Sequence, residues 1–255
     1  MLTSFRGTLA ASITALSLGI AGPAMAQSAD EAEDTTEEGP ITVSANVALT
    51  TDYRFRGVSL SGGDPAIQGG FDVAHESGFY AGTWASSIQG GDAYGELELD
   101  VYAGWSGDLT EGVALDVGLL YYIYPTEELG LDTDYWEPYA SLGFTLGPAE
   151  ATVGAAYAFK QDSLGDEDNL YVYTDLGYSL PSTPISLSAH LGYTDGVLAP
   201  PFLAGTADDS GLDWSIGASV SSGNVEFGVA YIGVEGPSID GFTDDAIVGT
   251  ISASF

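Results

Sequence analysis

The chain has no cysteine. That removes a disulfide framework, a thiolate metal site and a cysteine nucleophile together. Basic residues are nearly as scarce: four Lys and Arg stand against 37 Asp and Glu, a formal charge of −33. Beyond Arg6 they are Arg54, Arg56 and Lys160. Such a surface repels nucleic acid and anionic polymers, leaving divalent cations and cationic or neutral solutes as partners. There are two histidines, His75 and His190, and neither belongs to an HExxH metal motif; no nucleophile elbow is present. Past residue 26 no apolar run reaches the roughly 18 residues that a membrane-spanning helix needs. A chain of this kind can cross a membrane only as a closed β-barrel, because an open sheet edge in lipid would leave backbone N–H and C=O groups unpaired.

What is present points the same way. Hydrophobic residues make up 45% of the chain, too many for an acidic disordered protein. Glycine, at 35 of 255 residues, is about double its usual ~7% share, as expected where strands curve or pack closely. Residues 1–26 carry Arg6, an apolar run from Leu9 to Ala21 and the small-residue site Ala24-Met25-Ala26, the pattern of a signal peptide. Residues 27–40 hold six acids and no aromatic, which predicts an acidic disordered tail in the periplasm.

From residue 41 to 255 the pattern is all-β. Twelve alternating segments fall at 41–55, 65–77, 78–88, 94–106, 112–124, 134–146, 149–160, 169–180, 185–194, 212–222, 224–234 and 244–255. Short turns and longer Gly/Asp/Pro-rich connections alternate between them, the asymmetry of tight periplasmic turns and larger external loops. The even strand count also fits a single antiparallel up-and-down transmembrane barrel. The alternation puts Val43, Val47 and Leu49, then Leu187, Leu191 and Tyr193, on one face, with Ser44, Asn46, Ser186, Ser188 and His190 on the other. Tyr53, Phe55, Trp105, Trp136, Tyr178, Tyr193 and Trp214, near strand ends, suit interfacial girdles. The final segment ends on an aromatic. Closure of strand twelve against strand one predicts Ile247, Ile251 and Phe255 toward lipid and Thr250 and Ser252 toward the lumen.

The same alternation aims most strand charge inward. On the first segment it places Asp52, Arg54 and Arg56, and on the fourth a ladder of Glu96, Glu98 and Asp100; Asp72, Asp116 and Glu137 join them, with Lys160 near an outer strand end. Two roles fit the arginines. They can oppose the fourth-segment acids across a constriction and set ion selectivity, or serve as counter-ions that hold clustered carboxylates together. In either role acids outnumber bases, so cations are the preferred permeants. Asp166, Glu167 and Asp168 form a loop cluster able to attract a divalent cation, but without EF-hand spacing; a solvated acidic face is the simpler account. Ser186 and Ser188 lie on the strand of His190, and at ~7 Å spacing along a strand they do not hydrogen-bond it directly. No catalytic residue, resident metal or cofactor is expected.

Residues 44–86 carry a further signal. Asn46-Val47-Ala48, Asp52-Tyr53-Arg54-Phe55-Arg56-Gly57, the run from Asp64 to Asp72 and the run from His75 to Gly82 resemble the TorF-type porin family of proteobacterial outer-membrane proteins. Later segments such as Glu98-Leu99-Asp100 and Tyr102-Ala103-Gly104 fit it more loosely. The resemblance implies an outer-membrane barrel with a porin role, and brings no substrate and no catalytic residue. The expectation is therefore passive diffusion of small hydrophilic solutes, with a preference for cations. The alternatives are a non-conducting barrel for binding, adhesion or envelope stability and, more remotely, an outer-membrane hydrolase. Expected partners are outer-membrane lipid and lipopolysaccharide, the barrel-assembly machinery during biogenesis, and small solutes; nucleic acid is excluded and a homo-oligomer is left open.

Overall fold

A computed structural model describes residues 40–255. The expected signal peptide, and the acidic tail up to residue 39, lie outside the described residues. The rest forms a closed antiparallel barrel of twelve strands. In chain order these are β1 (Ile41–Thr50), β4 (Ala66–His75), β5 (Phe79–Ser87), β6 (Leu97–Thr110), β7 (Val113–Ile123), β8 (Tyr135–Leu146), β9 (Ala149–Gln161), β10 (Glu167–Ser179), β11 (Ile185–Gly196), β12 (Ser210–Ser222), β13 (Val225–Val234) and β14 (Ala246–Ser254). Two further strands, β2 (Arg54–Phe55) and β3 (Val58–Ser59), pair only with each other. Closure is made by β14 on β1, from Asn46↔Ser254 to Thr50↔Thr250, and Ala45 and Phe255 exchange two backbone hydrogen bonds just beyond.

The connections sort by end. Tight turns at 76–78, 111–112, 147–148 and 223–224 lie at the end where β1 begins, and Gly78, Gly112, Gly147 and Gly223 occupy them at φ between 60° and 92°. Positive φ is where a side chain is penalised, so glycine fixes these turns. Longer connections (51–65, 88–96, 124–134, 197–209 and 235–245) lie at the other, external end. One pair breaks the length rule: 162–166 at the external end and 180–184 at the periplasmic end each contain five residues.

Period-two alternation turns the usual core inside out. Ile247, Ile251 and Phe255 are 75%, 51% and 73% exposed on the outer face, while Thr250 donates to the buried Thr50 hydroxyl at 3.2 Å on the inside, as expected. Leu49, Val153, Leu176, Leu187, Ile216 and Val229 continue the exposed apolar band. Trp136, Tyr157, Tyr193 and Tyr231 ring its external border, and Phe79, Tyr178, Phe227 and Phe255 its periplasmic one. A closed barrel with an apolar belt between aromatic girdles is an outer-membrane barrel.

The lumen explains the glycine excess. Tyr139 of β8 faces Gly118 of β7, and a Cβ added there would lie 2.3 Å from the Tyr139 hydroxyl. Tyr102 lies against Gly82, Tyr80 against Gly104 and Tyr173 against Gly154 in the same way, each pair being direct cross-strand partners. Each ring folds flat over a neighbour that has no side chain, so large aromatics line the wall rather than crossing the lumen.

The largest departure from the sequence reading is at the first strand. It was expected to run to residue 55, but β1 ends at Thr50. Residues 51–65 leave the wall and fold inward, with β2 and β3 as a small hairpin inside the external half of the barrel. Tyr53, 1% exposed, and Phe55 therefore sit in the interior cluster with Tyr122, Tyr135 and Tyr171, not in a girdle.

Candidate functional site

The inserted segment is tied down along its length. Asp52 organises its base: Ser59 and Ser61 donate hydroxyl protons to Oδ1 at 2.6 and 3.1 Å, and Arg54 Nε donates to Oδ2 at 2.6 Å. Arg54 also reaches the 235–245 connection, donating to the Asp244 carbonyl and, at 3.1 Å, to its carboxylate. The backbone joins in through Ser59 N–H to Phe242 and Gln89 N–H to Leu60, each 2.8 Å. Tyr53 stands edge-on to Trp84 and donates to Glu98 at 2.7 Å. Burial first, and then the negative charges of Glu98 and Asp100, hold the Tyr53 phenol well above its ordinary pKa, so it remains a donor.

At the hairpin tip Arg56 crosses to the far wall. Its Nη2 donates to both oxygens of Glu137 at 2.8 and 2.7 Å, and Tyr122 adds its hydroxyl to the same carboxylate at 3.1 Å. The guanidinium carbon lies 4.2 Å from the Tyr171 ring centroid and 4.6 Å from that of Phe55. Burial alone would lower the Arg56 pKa, but the Glu137 charge overrides it and the net shift is upward. The tip can come this close because Gly57, at φ +79°, has no Cβ; one would stand 2.3 Å from Val234 on β13.

Several expected site residues are placed differently from the sequence reading. Asp52, Arg54 and Arg56 are not on a wall strand; they are carried inward by the inserted segment. Neither arginine binds the acids of β6: Arg54 takes Asp52 and Asp244, and Arg56 takes Glu137. The ladder on that strand shrinks to Glu98 and Asp100, because Glu96 precedes β6 and is exposed. Lys160 is near an outer strand end as expected, exposed at the external rim and 3.1 Å from Glu167. Asp168 accepts from Tyr157 at 2.7 Å, and no group of three or more His or acidic residues among the described residues is placed to hold a metal ion, so Asp166, Glu167 and Asp168 make no cage.

Toward the periplasm the lumen is lined differently. Asp72 accepts from Tyr102 at 2.5 Å and Asp116 from Tyr80 at 2.6 Å, both half-buried. Glu226 accepts from Ser219 and Ser221 at 3.1 Å each. His190 joins this level to the outer one, held at both ring nitrogens: Nδ1 by Asp175 at 2.6 Å, Nε2 by Asp213 at 2.9 Å and the Tyr171 hydroxyl at 2.8 Å. No serine hydroxyl is among these His190 partners, so this histidine is built into an acid–tyrosine network and not into a Ser–His pair. Sequence reasoning did not find this network or the tyrosine–glycine pairs, since both depend on cross-strand register.

The fold is that of porins. The KdgM porin, solved in complex with disordered oligogalacturonate, matches with a TM-score of 0.54 at 8% identity over 84% of this chain and 97% of that one. An outer-membrane channel from Pseudomonas putida F1 matches with a TM-score of 0.46 at 13% identity, over 88% and 99% of the two chains. No curated protein matches by sequence. Residues 34–255 match the bacterial family of unknown function called Gcw_chp. With the match spanning the whole barrel, the chain belongs to the Gcw_chp family and is a porin-like barrel of the bacterial outer membrane.

Proposed function

We propose that the protein is an outer-membrane channel for passive diffusion of small hydrophilic solutes, with a preference for cations, and that residues 51–65 form its constriction. One observation carries this reading: the lumen is lined by acids from strand after strand, while the inserted segment brings two arginines, each already matched to carboxylates. A field of that sign concentrates cations and rejects anions. A polyanion such as the oligogalacturonate bound by the KdgM porin would meet repulsion here. The resemblance of residues 44–86 to TorF-type porins supports the porin role.

A second reading has its own support. The external half is packed like a protein interior around Tyr53, Tyr122, Tyr135 and Tyr171, as a non-conducting barrel would be. Recording from refolded protein in planar bilayers separates the two. We expect discrete current steps and, under a salt gradient, a reversal potential on the cation side. Absence of steps at any voltage would establish the non-conducting reading; an anion-side reversal potential would overturn the selectivity.

A further inference from the structure

Arg56 occupies its site in the manner of a ligand. Its planar cation lies over the Phe55 and Tyr171 rings and is bonded to a buried carboxylate, the combination that recognises guanidinium groups in general. Yet it is held imperfectly. Only Nη2 is bonded, end-on to both Glu137 oxygens, while Nε and Nη1 are buried without hydrogen-bond partners. A side-by-side fork, with two parallel N–H···O bonds, is the stronger geometry. The hairpin explains the compromise, since Arg56 is delivered from a backbone position at φ +49°, uncommon for a residue with a side chain. A carboxyl group nearby is left unpaired as well. Asp100, cross-strand from Tyr122, is fully buried with neither oxygen bonded, while the neighbouring Glu98 accepts from the Tyr53 hydroxyl. Arg54 cannot help, being committed to Asp52 and Asp244.

We propose that this cage of Glu137 and Tyr171 is a binding site for solutes bearing a guanidinium group, and that Arg56 is its resident competitor. A free guanidinium has no hairpin to constrain it. It can turn to the forked geometry on Glu137 and stack on Tyr171, replacing the end-on charge of Arg56 by a better-paired one. In doing so it displaces Arg56 and loosens the tip of the inserted segment, so the permeant opens its own constriction. A small inorganic cation gains the charge term alone, and an alkylammonium gains neither the fork nor the flat stacking. The proposal rests on the channel reading for its transport consequence and on the cage geometry for binding.

The test is a binding titration of methylguanidinium, with methylammonium as the equally charged control, on refolded protein in detergent, read by calorimetry or ligand-observed NMR. Arg56→Ala removes the competitor and should bind methylguanidinium at least tenfold more tightly than wild type, and at least tenfold more tightly than it binds methylammonium. Adding Glu137→Gln should abolish both differences. Arg56→Lys, which keeps a charge and gives up the planar fork, should fall between wild type and Arg56→Ala, and it carries the test if the alanine variant does not refold. Equal affinities for the two cations in the Arg56 variants, or preference for methylguanidinium that survives Glu137→Gln, would overturn the proposal. Binding is measured without current, so a barrel that shows this pattern and no current steps keeps the site and loses the channel reading.

Discussion

The two halves of the lumen are built from the same strands and differ in what fills them. Toward the periplasm, Asp72, Asp116 and Asp175 remain half-buried, each held by a tyrosine or histidine on the wall. Toward the outside, Glu98, Asp100 and Glu137 are 1%, 0% and 2% exposed because residues 51–65 lie across them. The strands present acids at both levels; the inserted segment, with Ile88, Tyr124, Leu164 and Leu198 of other external connections, makes one level a packed interior. Wall and filling are thus separable, the first fixed by twelve-strand pairing and the second centred on the connection between β1 and β4.

The most severe way to break the comparison is to remove the filling. Replacing residues 52–64 by a short Gly/Ser linker deletes none of the wall pairing, since β1 ends at Thr50 and β4 starts at Ala66. The barrel should still fold and retain heat-modifiable mobility in gels, while single-channel conductance rises several-fold and both halves conduct alike. An unchanged conductance would mean that the constriction lies elsewhere in the lumen. The accompanying cost in stability should be visible as a lower denaturation midpoint, since the aromatic cluster around Tyr53 and Tyr122 is lost.

A sharper, smaller test acts on the wall alone. In Gly118→Ala the new methyl would meet the Tyr139 ring at 2.4 Å and the Ala103 carbonyl at 2.9 Å. The ring must swing into the lumen, an overpacking change that typically costs about 1–3 kcal/mol. We expect a lower midpoint on chemical denaturation and also a lower conductance, because the displaced ring narrows the lumen. The double change Gly118→Ala with Tyr139→Ala should restore conductance. If it does not, the ring is not what occupies the path.

How far the sequence foretold these halves follows from what each depends on. The wall depends on period-two alternation and on turn glycines, which are local, so strand number, faces and closure at Phe255 were all legible. The filling was not, for an identifiable reason. Asp52-Tyr53-Arg54-Phe55 keeps the parity of β1 and resumes its polar–apolar alternation after Thr51, so periodicity carries the strand past its true end at Thr50. The signal that could have stopped it was Gly57 with Gly62-Gly63 and Pro65, together with the cost of two arginines so close to a lipid-facing wall. The partners were less legible still: Arg56 and Glu137 are 81 residues apart, and only the register of the closed sheet brings the hairpin tip to that strand. The tyrosine–glycine pairs required the same knowledge, although the glycine excess itself pointed to close packing.

The mildest prediction uses the remaining cation as a contrast to the arginines. Lys160 was expected among the charges that set selectivity; it instead pairs with Glu167 at the external rim, both side chains more than 60% exposed. An ion pair in that setting gains little, because solvent screens its attraction and two flexible side chains must be held to form it. Lys160→Ala should therefore leave the denaturation midpoint, single-channel conductance and reversal potential unchanged within error at physiological salt. The one place it can register is at low ionic strength, where the screening length grows to tens of ångströms and removing a rim cation should slightly raise the cation preference. A marked change at physiological salt would show that the rim reaches the permeation path, and the division into a functional filling and an inert rim would have to be redrawn.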